Sequence, residues 1–227
     1  MKTPESPGSD DGKPAPEPTE PSYHHGNLRA ALIEAGLAAL ESNRGGAQAG
    51  QALSLRELAR QVGVTPNAAY RHFANKEALL KALAAEGFRQ LAAQSQAAHQ
   101  TAAASGAGQQ EGFRASGLAY VRFARANPSL FRLMFGRFAS DQRDADLTQA
   151  AMGAFQGVLT SASQLGGLPE DDPRTLVSAI IAWSLVHGLG HLALDGQLDH
   201  FSPDVDQLIE TVMGHVDPRF QERPQGT

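Results

Sequence analysis

Helical periodicity runs through the chain from Asn27 onward, and no segment alternates in the manner of a β-strand. The first repeat has apolar residues three or four positions apart, at Leu28, Leu32, Ala35, Leu37 and Leu40, and predicts a helix that ends near Ser42. Such spacing places the apolar side chains on one face of a helix. The pattern predicts an all-α protein and excludes the α/β scaffolds on which many enzymes are built.

Motifs that mark the common enzyme classes are missing from the sequence: it has no P-loop, no dinucleotide-binding glycine motif and no nucleophile elbow. It also has no cysteine, which excludes disulfides, thiolate metal sites and cysteine nucleophiles. We therefore expect a protein that is not an enzyme and needs no cofactor. The lack of cysteine and of a recognisable secretion signal favours the cytoplasm.

Charge is distributed unevenly along the 227 residues, whose formal net charge is −5. Residues 1–22 are acidic and hold six of the thirteen prolines, which predicts a disordered N-terminal tail. Residues 23–89 carry eight basic and five acidic side chains, whereas residues 90–227 carry nine and fourteen. A basic segment between acidic flanks indicates a phosphate-binding surface, because phosphate contacts need local positive charge.

Two short predicted helices joined at Gly63 form a helix-turn-helix over about residues 54–73. Glycine permits the unusual backbone angle of such a turn. Thr65 is placed to cap the second helix, and Pro66 occupies its first turn, where a missing N–H costs nothing. A recognition helix enters the major groove of DNA with this N-terminal end leading.

Capping residues mark the neighbouring helices. Ser54 and Glu57 have the spacing of a capping box, in which each side chain bonds the other's backbone N–H. Asn75 is placed to cap a long helix that continues to about Ala104 and frays over residues 105–108. Further helices are predicted near 111–126, 128–138, 143–165, 173–195 and 204–215.

The segment Gly63-Val-Thr-Pro-Asn-Ala-Ala-Tyr-Arg-His-Phe73, followed by Asn75-Lys-Glu-Ala-Leu79, closely resembles the DNA-binding region of TetR-type (TetR/AcrR) transcriptional regulators. The close match covers about residues 26–89. A second run, Ala182-Trp-Ser-Leu-Val-His-Gly188, is similar to the C-terminal domain named for its Trp-His-Gly (WHG) residues in some of these regulators. The resemblance implies a three-helix DNA-binding domain joined to a larger helical bundle.

The family pattern implies a role for each matching residue. Phosphate contacts are expected from Ser54, Thr65, Tyr70, His72 and Lys76. Base-edge contacts are expected from Pro66, Asn67 and Arg71, the last of which could bind guanine through two hydrogen bonds. Two alternatives remain open: the Tyr70 ring could only pack against the first helix, and Lys76 could be a solvated charge beside the Asn75 cap.

The resemblance further implies a ligand-responsive homodimeric repressor that binds a palindromic double-stranded operator and releases it when a small-molecule effector binds. We expect four segments: a tail over 1–22, the DNA-binding domain over 23–89, a helical regulatory and dimerisation domain over 90–216, and a flexible tail over 217–227. The rival hypothesis is a helical ligand- or metal-binding protein whose basic end docks elsewhere.

The dimer interface is expected in helices 143–165 and 173–195. Gly188 and Gly190 would permit close helix approach, with apolar area from Leu185, Leu189 and Leu192, or the glycines could relieve packing within one subunit. Residues 176–194 contain no Asp, Glu, Lys or Arg, which is also compatible with a membrane span. Serine, histidine and glycine interrupt the segment, which favours a helix buried in a core or subunit interface, and no membrane partner is expected.

Aromatic residues and methionines predict the effector pocket, because a helical bundle rich in them can enclose an apolar ligand, although such residues more commonly fill a core. The candidates are Tyr120, Phe123, Phe131, Met134, Phe135, Phe155, Trp183 and His187. His187 and His191 have the i, i+4 spacing of zinc ligands, but no third ligand lies nearby in the sequence, so no metal site is predicted.

Overall fold

A computed structural model describes residues 27–42, 53–136 and 144–215, and nine α-helices lie within these ranges. The helices are α1 Leu28–Ser42, α2 Leu55–Gln61, α3 Pro66–His72, α4 Lys76–Ala102, α5 Gly108–Ala126, α6 Pro128–Met134, α7 Ala145–Gly166, α8 Pro173–Leu194 and α9 Val205–His215. The described residues contain no strand, and the all-α prediction is confirmed. The predicted tails over 1–22 and 217–227 and the last residues of the helix predicted near 128–138 lie outside the described residues.

Helices α1, α2 and α3 pack together, and we call them, with the start of α4, the head. Helix α1 also packs against α4 and against α6. Leu32, Leu58 and Leu83 are buried at its centre. The approach of α1 to α4 is close at Gly36, where a Cβ atom would lie 2.9 Å from the Leu83 side chain. Glycine at this position therefore sets the distance between the two helices.

Helix α4 continues out of the head into the second unit, the body, which consists of its C-terminal part and α5 to α9. Within the body, α4 packs against α5, α6 and α7, and α8 packs against α5 and α7. A Cβ atom on Gly87 would lie 2.6 Å from the Met134 sulfur, so α4 and α6 are in tight contact there. One continuous apolar core joins head and body along α4.

Between α4 and α5 the chain forms a π-helical turn over Ala103–Ala107, where Gly106 has a φ of 87°. The sequence predicts fraying over 105–108, and the structure confirms a break there, although the chain stays helical up to it. Glycine is required at Gly106 because other residues rarely adopt a positive φ. A hydrogen bond of 3.0 Å between His99 Nε2 and Gln109 Oε1 links the two helices beside the turn.

Two of the predicted helix caps are confirmed and one is wrong. The Thr65 and Asn75 side chains accept hydrogen bonds from Ala68 N and Ala78 N, at 3.4 Å and 2.9 Å. At the start of α2, in contrast, the Ser54 side chain makes no capping bond, so the predicted capping box is wrong. The Glu57 carboxylate pairs with Arg60 on the next turn instead, because an oppositely charged neighbour three residues away competes with the backbone.

Candidate DNA-binding surface and regulatory core

The turn before α3 fixes the recognition helix on the head. Gly63 has a φ of 78°, and the Val64 N–H donates to the Ala59 carbonyl over 2.8 Å. Ala59 and Ala69 are completely buried, so α2 and α3 meet through small side chains. With Pro66 at its first position, α3 presents its N-terminal end and its outer face to solvent.

The predicted DNA-binding residues lie directly before α2, at the start of α3 and along it, and at the start of α4. Seven of them are exposed, namely Ser54, Thr65, Pro66, Asn67, Tyr70, Arg71 and His72, and Lys76 is half-buried. Within the described residues, Asn67, Tyr70, Arg71 and His72 form no side-chain hydrogen bond or ion pair, so their polar groups are available to a ligand. Tyr70 is 42% exposed, which leaves part of its ring outside the packing of the head.

Positive charge on α2 is partly neutralised. Arg60 pairs with Glu57, and the hydrogen bond from Arg60 is the main reason why the pKa of Glu57 is lowered. Arg56, in contrast, is exposed and forms no ion pair within the described residues. Arg71 on α3 and Arg56 on α2 are therefore the arginines of these two helices that remain available to phosphates or bases.

Arg29 is a functional candidate that the sequence analysis missed. Its guanidinium carbon lies 5.5 Å from the centre of the Phe73 ring, at the C-terminal end of α3, and its Nη2 lies 3.5 Å from an Asp146 carboxylate oxygen on α7. Nothing in the sequence signals this arrangement, because the three residues are far apart in the chain.

In the body, Tyr120 on α5 is hydrogen-bonded to two residues of α8. Its hydroxyl accepts from Trp183 Nε1 over 3.3 Å and lies 2.9 Å from His187 Nδ1. Burial raises the pKa of the Tyr120 hydroxyl, while burial and the neighbouring His191 lower the pKa of His187. A neutral His187 accepts a hydrogen bond from the Tyr120 O–H at Nδ1 when its proton is on Nε2, which makes Nε2 an N–H donor.

Phe131 and Phe135 surround this network, with ring centres 5.6 Å and 4.6 Å from that of His187. Phe155 on α7 packs on Trp183 at 5.9 Å. The structure therefore brings six of the predicted pocket residues into one aromatic cluster formed by Tyr120, Phe131, Phe135, Phe155, Trp183 and His187.

Exposure divides the predicted pocket residues into two groups. Phe123, Phe131 and Met134 are fully buried, and Tyr120 is nearly so. Phe135, Phe155, Trp183 and His187 are partly exposed. Phe123 and Met134 take part in no ring contact with the cluster and lie in the general core. The residues that a ligand can reach directly in this conformation are therefore those of the second group.

The described residues hold no group of three His, Asp or Glu side chains placed to bind a metal ion. His187 and His191 are adjacent, with ring centres 4.6 Å apart. Aromatic rings and the Tyr120 hydroxyl account for their contacts, so the structure offers this histidine pair no third ligand within the described ranges.

Helix α8 leaves a row of large apolar residues exposed, consisting of Leu176, Val177, Ile180, Ile181 and Leu192. This helix is long and apolar enough to cross a membrane by length and composition, and 28% of its most apolar stretch is buried.

The two glycines expected at the dimer interface differ in the space around them. Space beside Gly188 is open, whereas a Cβ atom on Gly190 would lie 3.4 Å from the Ala124 Cβ atom within the same chain.

Of the leucines expected at the dimer interface, Leu189 is buried in the core of this chain, so the prediction is wrong for Leu189. Leu185 is half-buried against the same core, and Leu192 is exposed. Residues 185–192 pass around the whole helix, so only some of them lie on its exposed face.

A helix-turn-helix head joined by a long helix to an all-helical body defines a class of bacterial DNA-binding regulators. Residues 47–83 match the model for bacterial regulatory proteins of the tetR family. Residues 113–216 match the model for the tetracyclin repressor-like C-terminal domain. The chain belongs to the TetR family of DNA-binding transcriptional regulators, which are not enzymes. The WHG subtype stays a prediction.

Solved structures share this architecture. A protein with unknown function from Rhodococcus sp. RHA1 is 31% identical with a TM-score of 0.69, and the match covers 86% of this chain and 96% of that chain. The candidate regulatory protein SCO4313 is 25% identical with a TM-score of 0.59, and the match covers 82% of this chain and 94% of that chain. The TetR family transcriptional regulator PfmR from Thermus thermophilus shares the fold at 17% identity and a TM-score of 0.52, covering 81% of this chain and 94% of that chain. No curated protein matches the sequence.

Proposed function

We propose that the chain is a cytoplasmic, sequence-specific repressor that binds a palindromic operator as a homodimer and releases it when a small molecule binds the body. The observation that carries the proposal is the exposed outer face of α3, on which Asn67, Tyr70, Arg71 and His72 have no partner within the described residues. Four unpaired polar side chains on one seven-residue helix fit a surface that reads DNA.

Base reading is assigned to Pro66, Asn67 and Arg71, and phosphate contacts to Ser54, Thr65, Tyr70, His72 and Lys76. The first three lie on the part of α3 that would enter the major groove. The residues assigned to phosphate contacts lie directly before α2, directly before α3 and on it, and at the start of α4. Phosphate contacts would fix the register, while Arg71 would supply discrimination between bases.

Dimerisation through α7 and α8 is supported by the exposed surface of both helices. The apolar residues Val177, Ile180 and Ile181 are 56%, 45% and 42% exposed on α8. On α7, Met152 is exposed beside Gly153 and Gly157, where the space next to each glycine is open. A second copy would bury this apolar surface, which explains the long apolar helix without a membrane.

The effector site is assigned to five residues of the aromatic cluster, namely Tyr120, Phe135, Phe155, Trp183 and His187. No Lys, Arg, Asp or Glu side chain of the described residues bonds to the Tyr120–His187–Trp183 network. The Nε2–H of His187 is the polar group of the network left to bind a ligand. An uncharged, largely apolar effector with one hydrogen-bond acceptor, such as a carbonyl oxygen, suits this chemistry.

The function is tested by titrating the purified chain against the duplex DNA that lies upstream of its own coding region. We expect saturable, salt-dependent binding to a site with two-fold symmetry, since phosphate contacts release counterions. Arg71→Ala is the test variant, and Arg60→Ala, whose guanidinium is paired with Glu57, is the matched control. Absent or salt-insensitive binding would favour the rival ligand-binding protein.

A further inference from the structure

One carboxylate of the body is contacted by two arginines from different parts of the molecule. Asp146 lies in the first turn of α7. Its carboxylate is 3.5 Å from Nη2 of Arg29 on α1, and it also accepts a hydrogen bond from Nη2 of Arg89 on α4. Arg29 belongs to the head, whereas Asp146 and Arg89 belong to the body, so the Arg29–Asp146 ion pair crosses between the two units.

Arg29 continues the contact to the recognition helix. Its guanidinium faces the ring of Phe73, which is 2% exposed and is the residue that ends α3. The Phe73 N–H donates to the Ala69 carbonyl over 3.0 Å, so the ring is tied to the last turn of α3. A cation above an aromatic ring is attracted to its face. The contacts therefore run without interruption from α7 to the C-terminal end of α3.

We propose that Asp146, Arg29 and Arg89 form a clasp that fixes the orientation of the recognition helix relative to the body, with Asp146 and Arg29 acting as positioning residues for DNA binding. The effect on DNA rests on the proposed function, whereas the effect of the clasp on the head does not. Neither Asp146 nor Arg29 belongs to the DNA-reading surface defined above.

The ion pairs of each arginine show why Asp146 is the central group. Arg89 also pairs with Glu86 on its own helix, at 3.4 Å, and keeps that partner if Asp146 is lost. Asp146 is the carboxylate that Arg29 contacts within the described residues. Removing the Asp146 charge therefore releases the Arg29 guanidinium from α7, while α1 keeps its packing against α6 and Arg89 stays paired with Glu86.

Helix α7 also connects the clasp to the aromatic cluster. Asp146 lies in its first turn, and Phe155 is on the same helix and packs on Trp183. A ligand that displaces Phe155 would shift α7, and a rigid helix would carry the shift to Asp146. The clasp thus gives a physical path by which a ligand bound in the body changes the orientation of α3.

The test compares Asp146→Asn with Asp206→Asn in the full chain. Asp206 is a matched control because it also lies in the first turn of a helix, α9, and pairs with an arginine, Arg125 on α5, within the body. Both variants remove one negative charge, so their general effect on attraction to DNA is the same. Two readouts are used: amide hydrogen exchange of α1 and α3, and affinity for the duplex that the wild-type chain selects from a random library.

In Asp146→Asn we expect faster exchange at the end of α3 and affinity about two- to fivefold weaker than in Asp206→Asn, the range of exposed ion pairs. Affinity for DNA falls because the head is held less rigidly in this variant and loses more conformational freedom when both half-sites are bound. Arg29→Gln should add little in the Asp146→Asn background, since both changes break the same pair.

Equal exchange and equal affinity in the two variants would overturn the clasp, as would additive effects of Arg29→Gln and Asp146→Asn. Failure of the wild-type chain to select any duplex would contradict the proposed function instead. In that case the exchange comparison still decides for or against the clasp, because it is measured on the protein alone.

Discussion

The guanidinium of Arg71 combines exposure with the absence of an intramolecular partner in the described ranges, which is the state that base recognition requires. Arg60, one helix earlier, has its charge paired with Glu57. Two arginines of the same head are therefore expected to differ in their contribution to DNA binding, and the difference follows from their neighbours rather than from their residue type.

Replacing Arg71 by alanine is expected to relax sequence preference at one base pair of each half-site, at a cost of about 1–3 kcal/mol for the preferred base. The measurement is competition binding with operator duplexes changed at single positions. Arg60→Ala should leave the preference unchanged. If Arg71→Ala weakened all duplexes by the same factor, the assignment of Arg71 to base reading would be wrong and a phosphate contact would replace it.

His187 is expected to make stability depend on pH. Burial and His191 lower its pKa in the folded protein, so below the ordinary value of about 6.5 the unfolded chain binds the proton more readily. The contribution of His187 to the free energy of unfolding is therefore complete above the unfolded pKa of about 6.5. It is lost as the pH falls from there towards the lower pKa of the folded protein. The free energy of unfolding of the wild-type chain, measured in urea across this range, should fall more than that of His187→Gln.

Ser184→Ala is the control for that measurement, because Ser184 is an exposed residue of the same helix and carries no titratable group. This change should leave the pH profile of the wild-type chain intact. Identical profiles for the wild type and His187→Gln would show that the His187 proton does not differ between the folded and unfolded states.

At the scale of the helices, the close contact between α4 and α6 depends on Gly87. A methyl group there would meet the Met134 sulfur at 2.6 Å, so Gly87→Ala should destabilise the fold by about 1–3 kcal/mol. Gly214→Ala on α9, where the space is open, should be neutral or stabilising by up to about 1 kcal/mol because alanine favours the helix. Thermal and urea unfolding measure both, and a Gly87→Ala variant as stable as Gly214→Ala would contradict the tight packing.

Helix positions could be predicted from the sequence because caps and breaks are local. Thr65, Asn75 and Pro128 act through neighbouring residues, and the helices begin where these residues predict. The Glu57 half of the predicted capping box is absent for a local reason as well, since the Glu57 carboxylate has Arg60 as a second partner. The capping pattern does not reveal whether a carboxylate bonds to the backbone N–H of the capping residue or to a nearby basic side chain.

Helix neighbours could not be predicted in the same way. Gly188 and Gly190 look equivalent in the sequence, yet one faces open space and the other faces Ala124. Likewise, the Tyr120–His187 hydrogen bond joins residues 67 positions apart, and the Asp146–Arg29 pair joins residues 117 apart. Such contacts depend on how whole helices pack, which periodicity alone does not define.

For the whole molecule, the exposed apolar face of α8 is expected to hold two copies together. Ile181→Glu places a charge on that face and should convert a dimer into a monomer in sedimentation velocity, because burying an unpaired carboxylate is costly. Operator affinity should fall with it, since a single head makes a small interface. Ala97→Glu, an exposed position on α4, adds the same charge and should leave the dimer intact. A dimeric Ile181→Glu variant would exclude this interface.

Selection of duplexes from a random-sequence library by the purified wild-type chain tests the function most directly. A dimer that presents two α3 helices should enrich an inverted repeat whose half-sites lie about one helical turn, or a multiple of it, apart. Arg71→Ala should enrich a less defined half-site. Failure to enrich any sequence, or enrichment of one unsymmetrical site by a monomeric protein, would contradict a homodimeric regulator that reads DNA through α3.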